Sequence, residues 1–191
     1  MRPEYRTYLA VASIIILIDQ LSKVYINTSY ILGETRLVLG DFFRFTFALN
    51  AGGAFGLNFG NYWFYLITSS LAIVLIIIYF LKTPDTHKYA KICLAAVIGG
   101  AIGNMIDRIF YRKVIDFIDV NIFDIIIPPF TVLSYEFPGF ELYRWYLFNI
   151  ADAAITLGLI GFIIYLVFQE KFEIAMPTET DNIVGDTQNN S

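Results

Sequence analysis

Three aspartates interrupt the most apolar parts of this chain. Asp107 stands in Asn104-Met-Ile-Asp107-Arg108, Asp152 in Asn149-Ile-Ala-Asp152, and Asp116 between Ile115 and Phe117. An ionised carboxyl is costly in apolar surroundings, so such aspartates are candidates for function. Asn and Asp three positions apart share one face of a helix, so each Asn-x-x-Asp segment can turn both polar groups into one cavity. Two carboxyls held close together cannot both ionise. One keeps its proton while the other activates a water, which is the chemistry of an aspartic hydrolase attacking an amide carbonyl. Neighbouring residues divide the roles. Asp107 has Arg108 beside it to hold its charge, whereas Asp116 has no adjacent cation, so desolvation raises its pKa as a proton-sharing group requires. Asp152 has only Asn149 as a local polar partner. The expected pair is therefore Asp116 with Asp152, and Asp107 is support.

Two further polar groups belong to the same set. Asp19 and Lys23 are four apart, the spacing of an intrahelical ion pair, which either stabilises a helix end or lines the cavity. Asn50-Ala-Gly52-Gly-Ala-Phe-Gly56 permits close backbone approach, as a re-entrant turn or as a substrate-contacting loop. No Lys-Ser/Thr follows it, so it is not a phosphate loop. The lone histidine, His87, and the lone cysteine, Cys93, read as a loop residue and a small packing residue. They supply neither a Ser/His or Cys/His nucleophile nor a zinc site. Three readings of the carboxylates stay open on residues alone: a buried hydrogen-bond network, a proton relay in a small proton-coupled carrier, and a hydrolase.

The elements that must position these groups are membrane helices. The 191 residues are 57% hydrophobic and 16% charged, beyond what a small soluble domain buries. Windows of ~20 apolar residues give four spans, about residues 8–26, 62–81, 92–109 and 147–168. The first lacks a small-x-small cleavage site and reads as a retained helix. With four spans both termini share one side. Arg2, Arg6, Lys82, Lys88, Lys91 and Lys171 fall there, which makes it cytoplasmic by the positive-inside rule. Residues 37–49, rich in strand formers and broken at Gly40-Asp41, read as a hairpin or β-layer on the membrane surface. In residues 110–146 the pairs Pro128-Pro129 and Pro138-Gly139 forbid a continuous helix, and the many aromatics favour the headgroup interface. The fold class is thus all-α membrane protein: four transmembrane helices, a small extracytoplasmic β-layer and a long interfacial loop. Residues 1–171 form one domain, and 172–191 a polar, disordered cytoplasmic tail. Ala96-xxx-Gly100, Gly99-xxx-Gly103 and Ala154-xxx-Gly158 let the third and fourth helices approach closely. The formal charge of −4 and the lack of a basic run exclude nucleic acid as a partner.

Five ordered blocks now carry a resemblance. They are Asp19-Gln-Leu-x-Lys23, Asn50-x-Gly52-x-Ala-Phe-Gly56, Gly103-Asn104-x-x-Asp107-Arg108, Val114-x-Asp116-Phe117 and Phe148-Asn149-x-Ala151-Asp152. Over residues 8–168 the chain resembles the lipoprotein signal peptidases (signal peptidase II), aspartyl proteases of the bacterial inner membrane. The resemblance implies cleavage of prolipoprotein signal peptides before a diacylglyceryl-modified cysteine, at the outer face of the membrane. It implies Asp116 and Asp152 as the catalytic pair. Asn50, Gly52, Asn104, Arg108 and Asn149 would hold substrate or orient the pair, and Asp107, Asp19 and Lys23 would support the fold. It also implies no metal or cofactor, contact with membrane lipid, and inhibition by globomycin-type cyclic peptides. Two features depart from the family's pattern: the stretch from Asp116 to Asp152 is longer, owing to Asn121–Arg144, and Gly53 stands where alanine is common.

Overall fold

The computed structural model describes residues 3–53, 60–122 and 125–175. Four helices, α1 (Pro3–Ser29), α2 (Tyr62–Lys82), α3 (Lys88–Tyr111) and α4 (Ile150–Ala175), are each long and apolar enough to cross a membrane. Their lipid-compatible surfaces follow from composition: α2 buries only Tyr65 and Phe80 and exposes Trp63, Ile67, Leu71, Leu75 and Leu81. A helix apolar all round and exposed all round belongs in lipid, where its backbone is satisfied internally. Helix α3 is the opposite case, with eleven buried residues from Ala90 to Asp107. It is the central helix, packed against α1, α2 and α4.

Local chemistry sets the helix ends. Asn61 caps α2, its Oδ1 accepting from Phe64 N at 3.2 Å, and Pro84 follows the C-cap Thr83. At the end of α3, Arg112 turns left-handed (φ 59°) and its N–H reaches the Arg108 carbonyl. The fourth helix begins at Ile150, not at residue 147 as hydropathy suggests. Leu147 and Phe148 are apolar, but Phe148 bridges Ile118 and so extends a sheet. The helix departs from helical geometry at Phe168 and continues to Ala175, past the expected end of the domain at 171. The remainder of the expected tail, 176–191, lies outside the described residues.

Small residues let the helices meet. A Cβ on Gly103 would come within 2.6 Å of Asp19 Oδ2, and one on Gly100 would collide with the Ala151 carbonyl oxygen. These positions seat α3 against α1 and α4 at backbone distance.

The β-layer joins the ends of α1 and α3. Strands β1 (Thr35–Leu39), β2 (Phe43–Asn50) and β3 (Val114–Val120) form one antiparallel sheet in that order. Its core is Phe47, Ile115 and Phe117 packed on Ile26 of α1 and on Tyr30 just after that helix. Beyond β3 the chain forms an arm of two small hairpins. Strand β4 (Ile125–Ile127) pairs β7 (Phe140–Leu142), and β5 (Phe130–Val132) pairs β6 (Tyr135–Phe137). The turn between β5 and β6 takes Leu133 and Ser134 into positive φ. The proline and glycine breaks thus give hairpins where a continuous helix was excluded.

Candidate active site

Asp116 sits on β3, whose both faces are buried, so it enters the interior as a strand residue rather than a helical one. The sheet register pairs Ala48 with Asp116 and Asn50 with Val114, which makes Asn50 its diagonal neighbour across β2. Asn50 Nδ2 donates to Asp116 Oδ2 at 3.0 Å, and Asn149 Nδ2 donates to Asp116 Oδ1 at 2.8 Å. Gly52 N in turn donates to Asn50 Oδ1 at 2.9 Å and fixes that amide.

Asp152 occupies the first turn of α4. Asn149 is the residue before that helix, and the two bond reciprocally. Asp152 N donates to Asn149 Oδ1 at 2.9 Å, and Asn149 N donates to Asp152 Oδ2 at 3.2 Å. This is a capping box with aspartate in the place of glutamate. Its other carboxylate oxygen accepts from Asn104 Nδ2 at 2.8 Å. Asn149 also reaches Asn104 Oδ1 at 3.1 Å, so one buried amide touches the partners of both carboxylates.

A buried ionic hub lies behind this pair. Lys23 Nζ bonds Asp19 Oδ2 at 2.8 Å, Asp107 Oδ2 at 2.9 Å and Asn104 Oδ1 at 3.0 Å. Asp19 also accepts from Ala151 N at 3.0 Å, at the start of α4, and Asp107 from Ile115 N at 3.0 Å, in β3. The hub therefore locks α1, α3, α4 and β3 around the position of the pair. Asp107 is bonded by Lys23, Gln20 and Ile115 N rather than by the adjacent Arg108. The Arg108 guanidinium turns away toward the cavity and donates to the Asn104 carbonyl at 3.3 Å, because the Lys23 ammonium already occupies the inner face of Asp107. Gln20 was given no role by the sequence reading, yet its amide touches Asp19, Asp107 and the Gly103 carbonyl, each at 3.1 Å. Its place inside the Asp19–Lys23 block was the available clue.

Asp116, Asp152, Asn50, Asn104 and Arg108 face a cavity of about 670 Å³, walled by the small or apolar residues of α2, α3 and α4 and by Trp145–Phe148. That volume suits an organic ligand or a peptide segment. Burial first, and then the charge of Asp152, push Asp116 up to about 7, against the opposing hydrogen bonds of Asn50 and Asn149. A carboxyl that is protonated half the time near neutrality can both give and take a proton. The hydrogen-bond network read as one possibility from the residues is thus real, and it ends in two carboxyls facing open space. His87 lies at the other end of α3, bonded to Tyr165, and Cys93 is buried in the second turn of that helix. Of the glycine loop, Ala54–Phe59 lies outside the described residues. Among the described residues no group of three His, Cys, Asp or Glu side chains is placed to hold a metal ion.

Comparison with known proteins converges on one family. The family model described as signal peptidase (SPase) II matches residues 11–168. The lipoprotein signal peptidase of Desulforapulum autotrophicum is 34% identical over 165 residues, covering 84% of this chain and 91% of that relative. The lipoprotein signal peptidase of Clostridium tetani is 35% identical over 158 residues, covering 83% and 90%. A bacterial membrane enzyme solved by the in meso method at 2.3 Å superimposes with a TM-score of 0.69 at 29% identity, covering 84% of this chain and 87% of that one. The chain belongs to the signal peptidase II family of aspartic peptidases and is a multi-pass bacterial membrane protein.

Proposed function

We propose that Asp116 and Asp152 are the catalytic pair of a lipoprotein signal peptidase, cutting the precursor before its diacylglyceryl-modified cysteine. The observation that carries this reading is the wiring of the site. Two carboxyls from different elements face one cavity, and each is held by side-chain amides. In the resting pair Asp116 holds the proton and Asp152 is ionised. Asp152 takes a proton from water as the oxygen attacks the carbonyl carbon, while Asp116 gives its proton to the carbonyl oxygen. The tetrahedral intermediate collapses by breaking the C–N bond. Asp152 passes its proton to the departing nitrogen, and Asp116 recovers one from the hydroxyl as the new carboxyl group forms. Protons and bonds balance, and the pair returns to its starting state.

Asn149 and Asn104 act as orienting residues, Asn50 and Gly52 hold Asp116 from the sheet side, and Arg108 faces the substrate's polar backbone. Asp19, Lys23 and Asp107 support them. Both termini are cytoplasmic and the pair works near the outer face, which Lys82, Lys88 and Lys91, flanking the α2–α3 connection, support. Residues 1–171 act as the peptidase domain and the polar tail 172–191 is dispensable for cleavage. The apolar cavity walls supply the site for the lipid-modified substrate and for globomycin-type cyclic peptides. Membership of a peptidase family gives no support to the proton-coupled carrier.

The test is cleavage of a lipidated precursor by purified enzyme. Asp116→Asn and Asp152→Asn should each lower kcat by about 10⁴ while the protein remains folded, since each removes half of a unit that acts together. Retained turnover in either variant would end the assignment.

A further inference from the structure

The aromatic wall of the cavity lies in the extended segment between the arm and α4. Residues 145–148 follow the arm directly and lie beside β3: Trp145 N donates to the Val120 carbonyl at 3.2 Å, Phe148 pairs with Ile118, and Phe117 N donates to the Phe148 carbonyl at 3.1 Å. Trp145, Tyr146, Leu147 and Phe148 all line the cavity. Because four consecutive residues line the cavity, a displacement of this segment along β3 would move the whole wall.

A second polar cluster sits at this point, distinct from the hub behind the catalytic pair. Asp119 is buried on β3, and strand alternation puts it on the opposite face from Asp116. It accepts from Arg144 Nε at 2.8 Å, from Arg44 Nε at 2.5 Å and from Thr46 Oγ1 at 2.8 Å. Burial opposes its charge, but the hydrogen bonds from Arg44, Arg144 and Thr46 prevail and hold its carboxyl below the ordinary aspartate value. The Arg144 fork also reaches Asp41, the carbonyl at 3.0 Å and Oδ1 at 3.1 Å. At the arm's other end, Asn121 bonds the same turn through Phe42 O at 2.8 Å and Asp41 Oδ2 at 3.2 Å. Both feet of the arm are thus tied to one turn, and Arg144 is the last residue before the wall.

We infer that Asp119 and Arg144 are positioning residues: their clasp fixes the register of the wall 145–148 against β3 and so sets how well the enzyme captures substrate, while isolating the catalytic pair from the arm. This rests on the peptidase reading above. The clasp acts on binding rather than on the chemical step because Asn149 is held independently by Asn104, Asp116 and its helix cap. Arginine is required because its planar fork serves two acceptors at once, which an ammonium cannot do in the same geometry.

The test measures kcat and KM separately on a lipidated precursor, per folded enzyme. Arg144→Ala should raise KM about tenfold with kcat within about twofold, the pattern of lost binding without lost chemistry. Arg144→Lys should recover part of that loss, with KM raised about threefold. Arg44→Ala removes a partner of the same carboxylate from a strand that does not carry the wall, and should change KM less than about twofold. Unchanged KM in Arg144→Ala, a fall in kcat at constant KM, or an equal rise in Arg44→Ala would each overturn the inference. If Arg144→Ala does not fold, the KM of Arg144→Lys decides alone. Absence of cleavage by the unaltered enzyme would instead strike the peptidase reading, so the two failures are distinguishable.

Discussion

Replacing Asp116 by asparagine should stabilise this protein, and the gain should depend on pH. The carboxyl is buried on β3 and its pKa stands at about 7 against an ordinary 3.8. A folded-state pKa raised in this way means that the folded protein holds the proton more tightly than the unfolded chain. Folding is therefore penalised increasingly as pH rises from 3.8 to 7, and the penalty is constant above that. At ~1.4 kcal/mol per pKa unit, the full penalty at pH 8 is about 4 kcal/mol, while at pH 5 it is about 1.5 kcal/mol. Asparagine never carries the charge and escapes both penalties.

It has a cost of its own. Asp116 accepts from two amide groups, Asn50 Nδ2 and Asn149 Nδ2, and asparagine has only one acceptor oxygen to offer them. The second pair becomes donor against donor, which costs about 1–2 kcal/mol. The net stabilisation is then about 2–3 kcal/mol at pH 8 and about zero at pH 5. For a chain of this length that is a rise of about 5–10 °C in Tm at pH 8 and none at pH 5. Thermal unfolding of the two proteins in the same detergent at both pH values measures it. An equal shift at the two pH values, or a lower Tm for the variant at pH 8, would refute the raised pKa and with it the assignment of the resting proton to Asp116.

Other outcomes follow from the same geometry. The pH profile of kcat/KM should fall on its alkaline side with an apparent pKa of about 7, as the pair loses its shared proton; a flat profile from pH 6 to 9 would contradict this. Lys23→Met leaves Asp19 and Asp107 buried without their cation, and should cost about 3–5 kcal/mol of stability in chemical or thermal unfolding. Gly100→Ala puts a methyl group against the Ala151 backbone, which cannot rotate away, so α3 and α4 must part. It should lose about 1–3 kcal/mol and more than about tenfold in cleavage, because Asn104 and Asp152 sit on those two helices.

Much of this architecture could be read from the sequence because lipid imposes simple rules. Four long apolar runs, small residues at close-packing spacing and strand formers after the first run gave the helices, their contacts and the β-layer. The start of α4 was misplaced because hydropathy cannot distinguish an apolar strand residue such as Phe148 from the first turn of a helix. The isolation of Asp116 from cations along the chain was legible, and the proposed pair draws on it. The hub was legible only within α1, at Asp19 and Lys23; its bond to Asp107 spans 84 positions and no local pattern encodes it. Asp119 escaped for a similar reason. Its partners, Arg44 and Arg144, are 75 and 25 residues away and looked like ordinary charges beside a membrane.

The two Asn-x-x-Asp segments share a spacing, and the polarity of the helix decides their different uses. Asn149-Ile-Ala-Asp152 opens α4, where backbone N–H groups are free. Asn149 and Asp152 satisfy two of them, and Asp19 takes a third through Ala151. Because the start of a helix already supplies donors, Asp152 is held by neutral amides and still lines the cavity. Asn104-Met-Ile-Asp107 lies near the end of α3, where the local N–H groups are already used within the helix. Asp107 must therefore import its partners, Lys23 and Gln20 from α1 and Ile115 N from β3, and in gathering them it is closed off from the cavity. The same three-residue spacing yields a cavity-facing carboxyl, the one proposed as reactive, at a helix start and an enclosed one at a helix end. Asp116 is the second carboxyl of the proposed pair because β3, which Asp107 anchors, carries it to the start of α4.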